Sequence, residues 1–504
     1  MATIILTGNG LSLEDVLAVA NGAEVTVSKE ATEKATLSRR ALEKLITKGE
    51  PVYGVTTGFG ALKSERIPEQ EREALQRNLI RSHAVGVGEP LGIRETRSLM
   101  IITAGSLLRG YSGVGPEPAE LIVQCLNKKI HPLIPSQGSL GASGDLAPLA
   151  HLAMALIGEG KILHDNRPSA EVLRSHGLEP LSLQPKVGLA LINGTHAHTG
   201  LACLVAEEAK LMMKVADVAC AMMVDAMLCS AQPFRPQVQW LRPHPHQVHS
   251  AANVSRLLEE SELLASHAEC GEVQDAYSIR CAPQVHGAAR QTLHHLLEVL
   301  EVELESVTDN PLVFSDEVIS AGNFHGEPVG LALDYLKMGL AELASISERR
   351  IERALNPAHN RGLPAFLAVK PGVQSGLMLC QYTAASLVSE NKVLAHPSCV
   401  DSITTGAGQE DHVSMAMNAA LHAQRVLRNT RNVLAIELIT AAQALDIRRQ
   451  IQPHKPGIGV RTAWESIRKQ VKSVTEDRSL SDEIERFDLQ AVVEEVQKVV
   501  GKLA

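Results

Sequence analysis

Between Asp411 and Arg449 the chain runs 39 residues without a glycine or proline. Leu434, Leu438, Ala441 and Leu445 mark one stripe along that run. A stretch this long with helical spacing is hard to place in anything but a long, partly buried helix. The same period recurs upstream. From Gly287 to Val307, Leu293, Leu296, Leu297, Leu300, Leu304 and Val307 take one face, and Glu298, Glu301 and Glu305 another. Val329 to Leu355 and Gln374 to Ala395 also read as helices. Such segments exceed the usual globular helix, and several in series predict a mostly α, long-helix bundle. Residues 1 to 60 differ. Short β-like pieces (Thr3 to Leu6, Glu24 to Val27) flank a helix over Thr36 to Thr47, a small mixed N-terminal region. The stretch from about Pro453 is more charged. Three parts follow: 1–200, a central bundle over 201–450, and a C-terminal helical region over 451–504.

Aromatic residues make up only 3% of the chain, so Leu, Ala, Val, Ile and Met must fill the core. A net charge of -9 without a Lys/Arg-rich run points away from nucleic acid. The apolar stretch Leu201 to Ser230 carries Glu207, Glu208, Lys210, Lys214, Asp217 and Asp225, which a bilayer would reject. It reads as a core helix, with no membrane partner. Met1 to Leu6 is too short for a secretory h-region, and eight scattered cysteines without a CxxC pair read as reduced thiols. The expected location is cytoplasmic.

The chemically richest loop is Gly138-Ser139-Leu140-Gly141-Ala142-Ser143-Gly144-Asp145. Its plain reading is a turn and helix N-cap. A nucleophile elbow would need glycine where Asp145 stands, and a phosphate loop would need Gly-Lys-Ser/Thr. A third reading fits better. Backbone cyclisation requires an amide nitrogen to attack a carbonyl two residues back. Gly144 offers that nitrogen beside an unbranched α-carbon, Ala142 a carbonyl without bulk, and Ser143 a hydroxyl to lose as water. The product is a methylidene-imidazolone, an electrophile needing no external cofactor. Asp145 stands next to it as a proton carrier for the dehydration.

The run GASGDLAPLAH resembles the electrophile-forming signature of the aromatic amino acid ammonia-lyases and aminomutases. The likeness extends from about Val52 to Leu445. It includes Tyr53-Gly54-Val55-Thr56-Thr57-Gly58-Phe59-Gly60, Leu191-Ile192-Asn193-Gly194-Thr195, and Gln274-Asp275-Ala276-Tyr277-Ser278-Ile279-Arg280-Cys281. Thr308-Asp309-Asn310-Pro311-Leu312, Gly322-Asn323-Phe324-His325 and Gln409-Glu410-Asp411-His412 continue it.

That resemblance implies the ammonia-lyase (fumarase/aspartase-like) superfamily architecture and a homotetramer with each active site shared among chains. It implies an autocatalytically formed 4-methylidene-imidazol-5-one (MIO) from Ala142, Ser143 and Gly144. Either the substrate amine or its aromatic ring would add to this group. Tyr53 matches the general base for the β-hydrogen. A phenol's ordinary pKa is about 10, so it must be lowered or transiently ionised. Arg280 matches the clamp on the substrate carboxylate, where a guanidinium fork suits the anion. Asn193 matches a donor near the imidazolone oxygen. Gln274 and Tyr277 match neighbouring polar groups, and Phe324 matches a ring lining the site or a core ring.

Specificity should come from the pocket for the side-chain ring. Ser82 and His83 occupy the family's selectivity pair, and with Glu410 and Gln409 they offer partners for an imidazole but not for a phenyl ring. This implies the histidine branch: elimination of ammonia from L-histidine to give trans-urocanate. Thr56 and Gly408 depart from that branch, where asparagine is common at both. Tyrosine or phenylalanine lyases and aminomutases are the alternative, and a non-catalytic scaffold would need none of these residues. His244, His246 and His249 read as a polar loop rather than a metal site. His196 and His198 read as surface residues.

Overall fold

The computed structural model describes residues 3–268 and 271–504. Cys270 lies outside the described residues, and the other seven cysteines are free thiols. The chain is mostly α-helical. It divides into two compact units, each assembled from three separate stretches.

The first unit comprises Met1–Ala206, Leu296–Asp334 and Pro397–Leu421. It opens with the parallel strands Ile4–Leu6 and Val25–Val27, in register Ile4 to Val25. Helix Leu13–Ala20 lies between them, started by a reciprocal capping box of Ser12 and Asp15. The next helix, Lys29–Thr47, begins seven residues before the expected Thr36 because Ser28 caps the Ala31 N–H. Its first buried residues, Ala31 and Ala35, are too small to give a strong periodic signal.

Helix Ile93–Leu107 is buried on every side from Thr96 onward. Its Arg97 is 2% exposed and donates to the carbonyls of Val19, Ala23 and Leu126 at 2.6, 3.1 and 2.9 Å. One guanidinium thus closes the C-terminal ends of two neighbouring helices, which backbone bonding alone leaves open. Two short antiparallel pairs, Val87–Pro90 with Pro135–Gln137 and Leu312–Val313 with Val318–Ile319, complete the unit's sheet content among the described residues.

The second unit comprises Glu207–His295, Tyr335–His396 and His422–Ala504. It takes in parts of helices His196–Ala226, Ala282–Leu304, Glu327–Leu355 and Ala416–Ile451, with all of Met378–Leu394, Ile458–Gln470 and Leu489–Val500. The stripe Leu434, Leu438, Ala441 and Leu445 is fully buried. The long Gly/Pro-free run becomes helical only at Ala416, since Met415 takes a left-handed φ of 50° and Thr405 pairs with Glu410 just upstream. No helix among the described residues is long and apolar enough to cross a membrane.

Candidate active site

The electrophile loop is stitched down along its length. The Leu140 carbonyl accepts the Met415 N–H at 2.7 Å, and the Gly141 carbonyl accepts the Gly326 N–H at 3.0 Å. The Ala142 methyl packs with Val413 and Met415. Gly144 has φ +72°, and a Cβ there would lie 2.1 Å from the Gly194 carbonyl oxygen. Only glycine fits, for conformation and for space. Backbone bridges run from Gly144 to Gly141, to Ala142 and to Gly194, so the chain doubles back over the tripeptide.

Asp145 is anchored by several contacts at once. Its N–H donates to the Gly194 carbonyl at 2.7 Å. Its carboxylate accepts the Ser139 hydroxyl at 2.8 Å and the N–H groups of Ala197 and His198 at 2.8 and 2.9 Å. It thereby caps the helix that starts at His196, where exposed N–H groups and the helix dipole favour an anion. His198 Nδ1 lies 2.8 Å from the same carboxylate, with both side chains fully buried. Burial opposes the charge on each partner, but their mutual attraction wins. The Asp145 carboxyl is held below its usual range and the His198 imidazole above it.

His196 and His198 are therefore not surface residues; they are 2% and 0% exposed. Thr103 Oγ1 meets His196 Nδ1 at 3.2 Å, and Thr308 Oγ1 meets Nε2 at 3.4 Å. Burial pushes the His196 pKa from 6.5 down to about 4. Between those values the unfolded chain binds more protons than the folded one, so stability falls as pH drops through that window. His196→Asn is expected to lose less stability than the parent over this range, read as the urea midpoint against pH. Parallel declines in both proteins would contradict this.

Glu410 faces the tripeptide. Ser143 Oγ donates to Glu410 Oε1 at 2.7 Å, and Thr405 Oγ1 donates to Oε2 at 2.7 Å. The charge of Glu410 reaches His83, whose pKa is lowered by burial and raised in smaller measure by the Leu79 carbonyl and by Glu410. His83 Nδ1 lies 2.8 Å from the Leu79 carbonyl, which makes it a donor there and leaves Nε2 for another partner. Ser82 is exposed, and its hydroxyl donates to the Leu79 carbonyl at 3.1 Å. Gln409 is also exposed and accepts from Lys63 Nζ at 2.6 Å.

Asn193 ends the helix Val187–Ile192 and is buried. Its Nδ2 reaches the Asn310 carbonyl at 3.4 Å, and its Oδ1 has no partner among the described residues. Behind it, Lys186 Nζ meets Asp309 Oδ2 at 2.8 Å, both side chains shut off from solvent. Gln76, fully buried, donates to the Gly54 carbonyl at 2.9 Å and accepts the Leu189 N–H at 3.0 Å. It links the loop bearing Tyr53 to the helix ending at Asn193. The Tyr53 hydroxyl accepts the Gly60 N–H at 2.9 Å, and its ring meets Phe59 edge-on at 6.3 Å. Thr56 Oγ1 accepts the Val52 N–H at 2.8 Å, a local turn bond. Phe324 is half-buried, on the segment that Gly326 ties to Gly141.

The first unit thus contains Tyr53, Ser82, His83, Ala142, Ser143, Gly144, Asn193, Phe324, Gln409 and Glu410. Gln274, Tyr277 and Arg280 belong to the second unit. Gln274 is exposed, as is Tyr277 at 70%, and the Arg280 guanidinium stacks 4.4 Å from the Tyr277 ring centre. Arg280 Nε is buried without a partner among the described residues. The pairs Asp145–His198 and Lys186–Asp309 go beyond the sequence reading. A polar residue at a helix start is a signal for the first; nothing in the sequence links positions 123 apart for the second.

The family model for aromatic amino acid lyases matches residues 11–469. The chain belongs to the aromatic amino acid lyase family. It is 50% identical over 509 aligned residues to a curated histidine ammonia-lyase from Gloeobacter violaceus, covering 99% of this chain and 98% of that one. Among solved members of the family, a histidine ammonia-lyase from Trypanosoma cruzi superposes with TM-score 0.89 at 39% identity, covering 99% of this chain and 95% of that one. A tyrosine aminomutase from Streptomyces globisporus gives TM-score 0.90 at 37% identity, covering 99% and 97%. This aromatic amino acid lyase carries the tripeptide in the buried doubled-back turn, with a carboxylate on its serine.

Proposed function

We propose that the chain is a histidine ammonia-lyase, a carbon–nitrogen lyase that eliminates ammonia from L-histidine without redox change to give trans-urocanate, the first step of histidine breakdown. The observation that carries the reading is the turn at Ala142-Ser143-Gly144, where only glycine fits beside Gly194 and the serine hydroxyl meets Glu410. The relatives named histidine ammonia-lyase, matched end to end at up to 50% identity, support the substrate.

The residues present fit a 4-methylidene-imidazol-5-one formed from the tripeptide. Ala142 brings a small side chain in an apolar nest, Gly144 a nitrogen free of side-chain bulk, and Asn193 a buried amide whose Nδ2 has a second N–H beside the one aimed at the Asn310 carbonyl. That group supplies an electrophile that makes the amine easier to expel. The chain's own residues do the rest. Arg280 holds the substrate carboxylate through its guanidinium fork, with Tyr277 stacked against it and Gln274 close in sequence. Tyr53 takes the β-proton at its phenolic oxygen, which the Gly60 N–H holds in place by donating to it. His83 and Glu410 receive the imidazole ring: with the His83 proton on Nδ1, its Nε2 and the Glu410 carboxylate are acceptors for the imidazole N–H; Ser82, Gln409 and Phe324 border that pocket. A phenyl ring would leave those polar groups unpaired, which is how such a site rejects it.

A homotetramer in the cytoplasm is part of the same reading. Leu331, Tyr335 and Met338 make an exposed stripe along one face of helix Glu327–Leu355, and Leu379 and Tyr382 do the same on Met378–Leu394. Exposed apolar stripes of this kind mark interaction surfaces, and self-association would cover them. The aminomutase neighbours favour a second reading, action on tyrosine. Purified protein given each amino acid in turn should release ammonia from histidine, with a near-ultraviolet product. Turnover of tyrosine with histidine left intact would reverse the assignment.

A further inference from the structure

In the second unit a chain of charges runs through the helical core. Arg350, fully buried, grips both carboxylate oxygens of Glu437 with Nε and Nη2, and Ser347 adds its hydroxyl to the same carboxylate. Its Nη1 lies 3.3 Å from the Ser278 carbonyl and 3.3 Å from His286 Nε2. His286 Nδ1 lies 2.8 Å from Asp217 Oδ1. Asp217 is completed by Arg290 at 2.6 Å, Ser250 at 2.5 Å and Asn253 at 2.8 Å. Because Nε2 receives a guanidinium N–H, His286 carries its proton on Nδ1 and is neutral. Burial lowers its pKa in keeping with that.

Helix packing does not require such a network, since apolar residues of similar volume often stabilise a core equally well or better. The Arg350 guanidinium also reaches backbone, and it does so at Ser278. Ser278 sits inside Tyr277–Arg280, a single helical turn that breaks at Cys281 before the helix Ala282–Leu304 begins. One turn does not hold itself together in water. Just upstream, Asp275 accepts from Arg361 Nη2 at 2.9 Å and from the Ser230 N–H at 2.6 Å. The segment is therefore pinned at Asp275 and Ser278, with Tyr277 between the pins and Arg280 just beyond.

We propose that Arg350, held by Glu437 and His286, is a positioning residue: through the Ser278 carbonyl it sets the turn that presents Tyr277 and Arg280, and so governs how tightly the substrate carboxylate is bound. The proposal rests on the reading of Arg280 as the carboxylate clamp. Arg350→Met is expected to raise KM for histidine about tenfold, within the range of couplings between neighbouring residues, and to change kcat much less. Arg350→Lys should recover part of this, since an ammonium can reach Glu437 or Ser278 but not span both. In an Arg280→Met background, Arg350→Met should add no further rise, because no clamp remains to be misplaced. If Arg280→Met leaves KM unchanged, the clamp reading fails and the proposal with it. If Arg280→Met raises KM but Arg350→Met does not, or does so by the same factor in both backgrounds, the clamp stands and the positioning role is refuted. Should Arg350→Met not fold, Glu437→Gln, which loosens the grip and keeps the volume, takes its place in the same cycle. A KM rise confined to the Arg280 background then supports the positioning role, and an equal rise in both backgrounds, or none, refutes it.

Discussion

Ser143→Ala is expected to lose at least about a thousandfold in kcat/KM for histidine, the scale on which enzymes respond to losing their reactive group. Alanine keeps the backbone and the apolar nest around Ala142, so the fold should persist. What disappears is the hydroxyl that lies 2.7 Å from Glu410 and would leave as water. Intact mass supplies a readout independent of activity. The parent should weigh two waters less than its sequence, and the variant should fall short by at most the one water of ring closure. Near-parental turnover by Ser143→Ala, or a parent at full sequence mass with full activity, would remove the chemical basis of the assignment. Gly144→Ala should fail earlier, because a methyl group cannot share space with the Gly194 carbonyl.

Lys186→Met is expected to cost about 3–5 kcal/mol of stability, the usual penalty for stranding one member of a buried ion pair. Asp309 would be left without its cation in a place water does not reach. Burial already pulls the Lys186 pKa down, which shows how little solvent helps the pair. Lys186 also holds a left-handed φ of 76°, a strain of about 1–2 kcal/mol that the rest of the fold sustains. Urea denaturation of parent and variant gives the difference. Replacing both partners, Lys186→Met with Asp309→Leu, should recover most of it, because two apolar groups leave no charge unpaired. A single variant within about 0.5 kcal/mol of the parent, the range of ordinary surface substitutions, would show the pair to be inert. Catalysis reports on the same contact. Asp309 precedes Asn310, whose carbonyl holds the Asn193 amide, so kcat should fall in Lys186→Met and return less completely than stability in the double variant.

The fold class is legible in the sequence because helix burial leaves a repeating signature along the chain. The stripe of Leu434, Leu438, Ala441 and Leu445 is buried as its spacing requires. Boundaries are less legible. Ser28 starts its helix well before the leucine pattern does, since a cap acts through one hydrogen bond and early alanines hide the apolar face. The electrophile loop is legible for a similar local reason: cyclisation chemistry needs particular residues in succession. His196 and His198 show the opposite case. Two histidines at a helix start look like surface residues, and it is the carboxylate of Asp145 and the hydroxyls of Thr103 and Thr308 that meet them inside.

By itself the amino-acid order determined a helical protein with a tripeptide suited to closing on itself, because helix period and cyclisation both depend on residues close together in the chain. Tertiary structure decided which polar groups go inside and what meets them: Glu410 on Ser143, Asp309 on Lys186, Glu437 on Arg350. A charge enters a protein interior only where the fold delivers its partner. Those partners are 267, 123 and 87 positions away, beyond the reach of any local pattern.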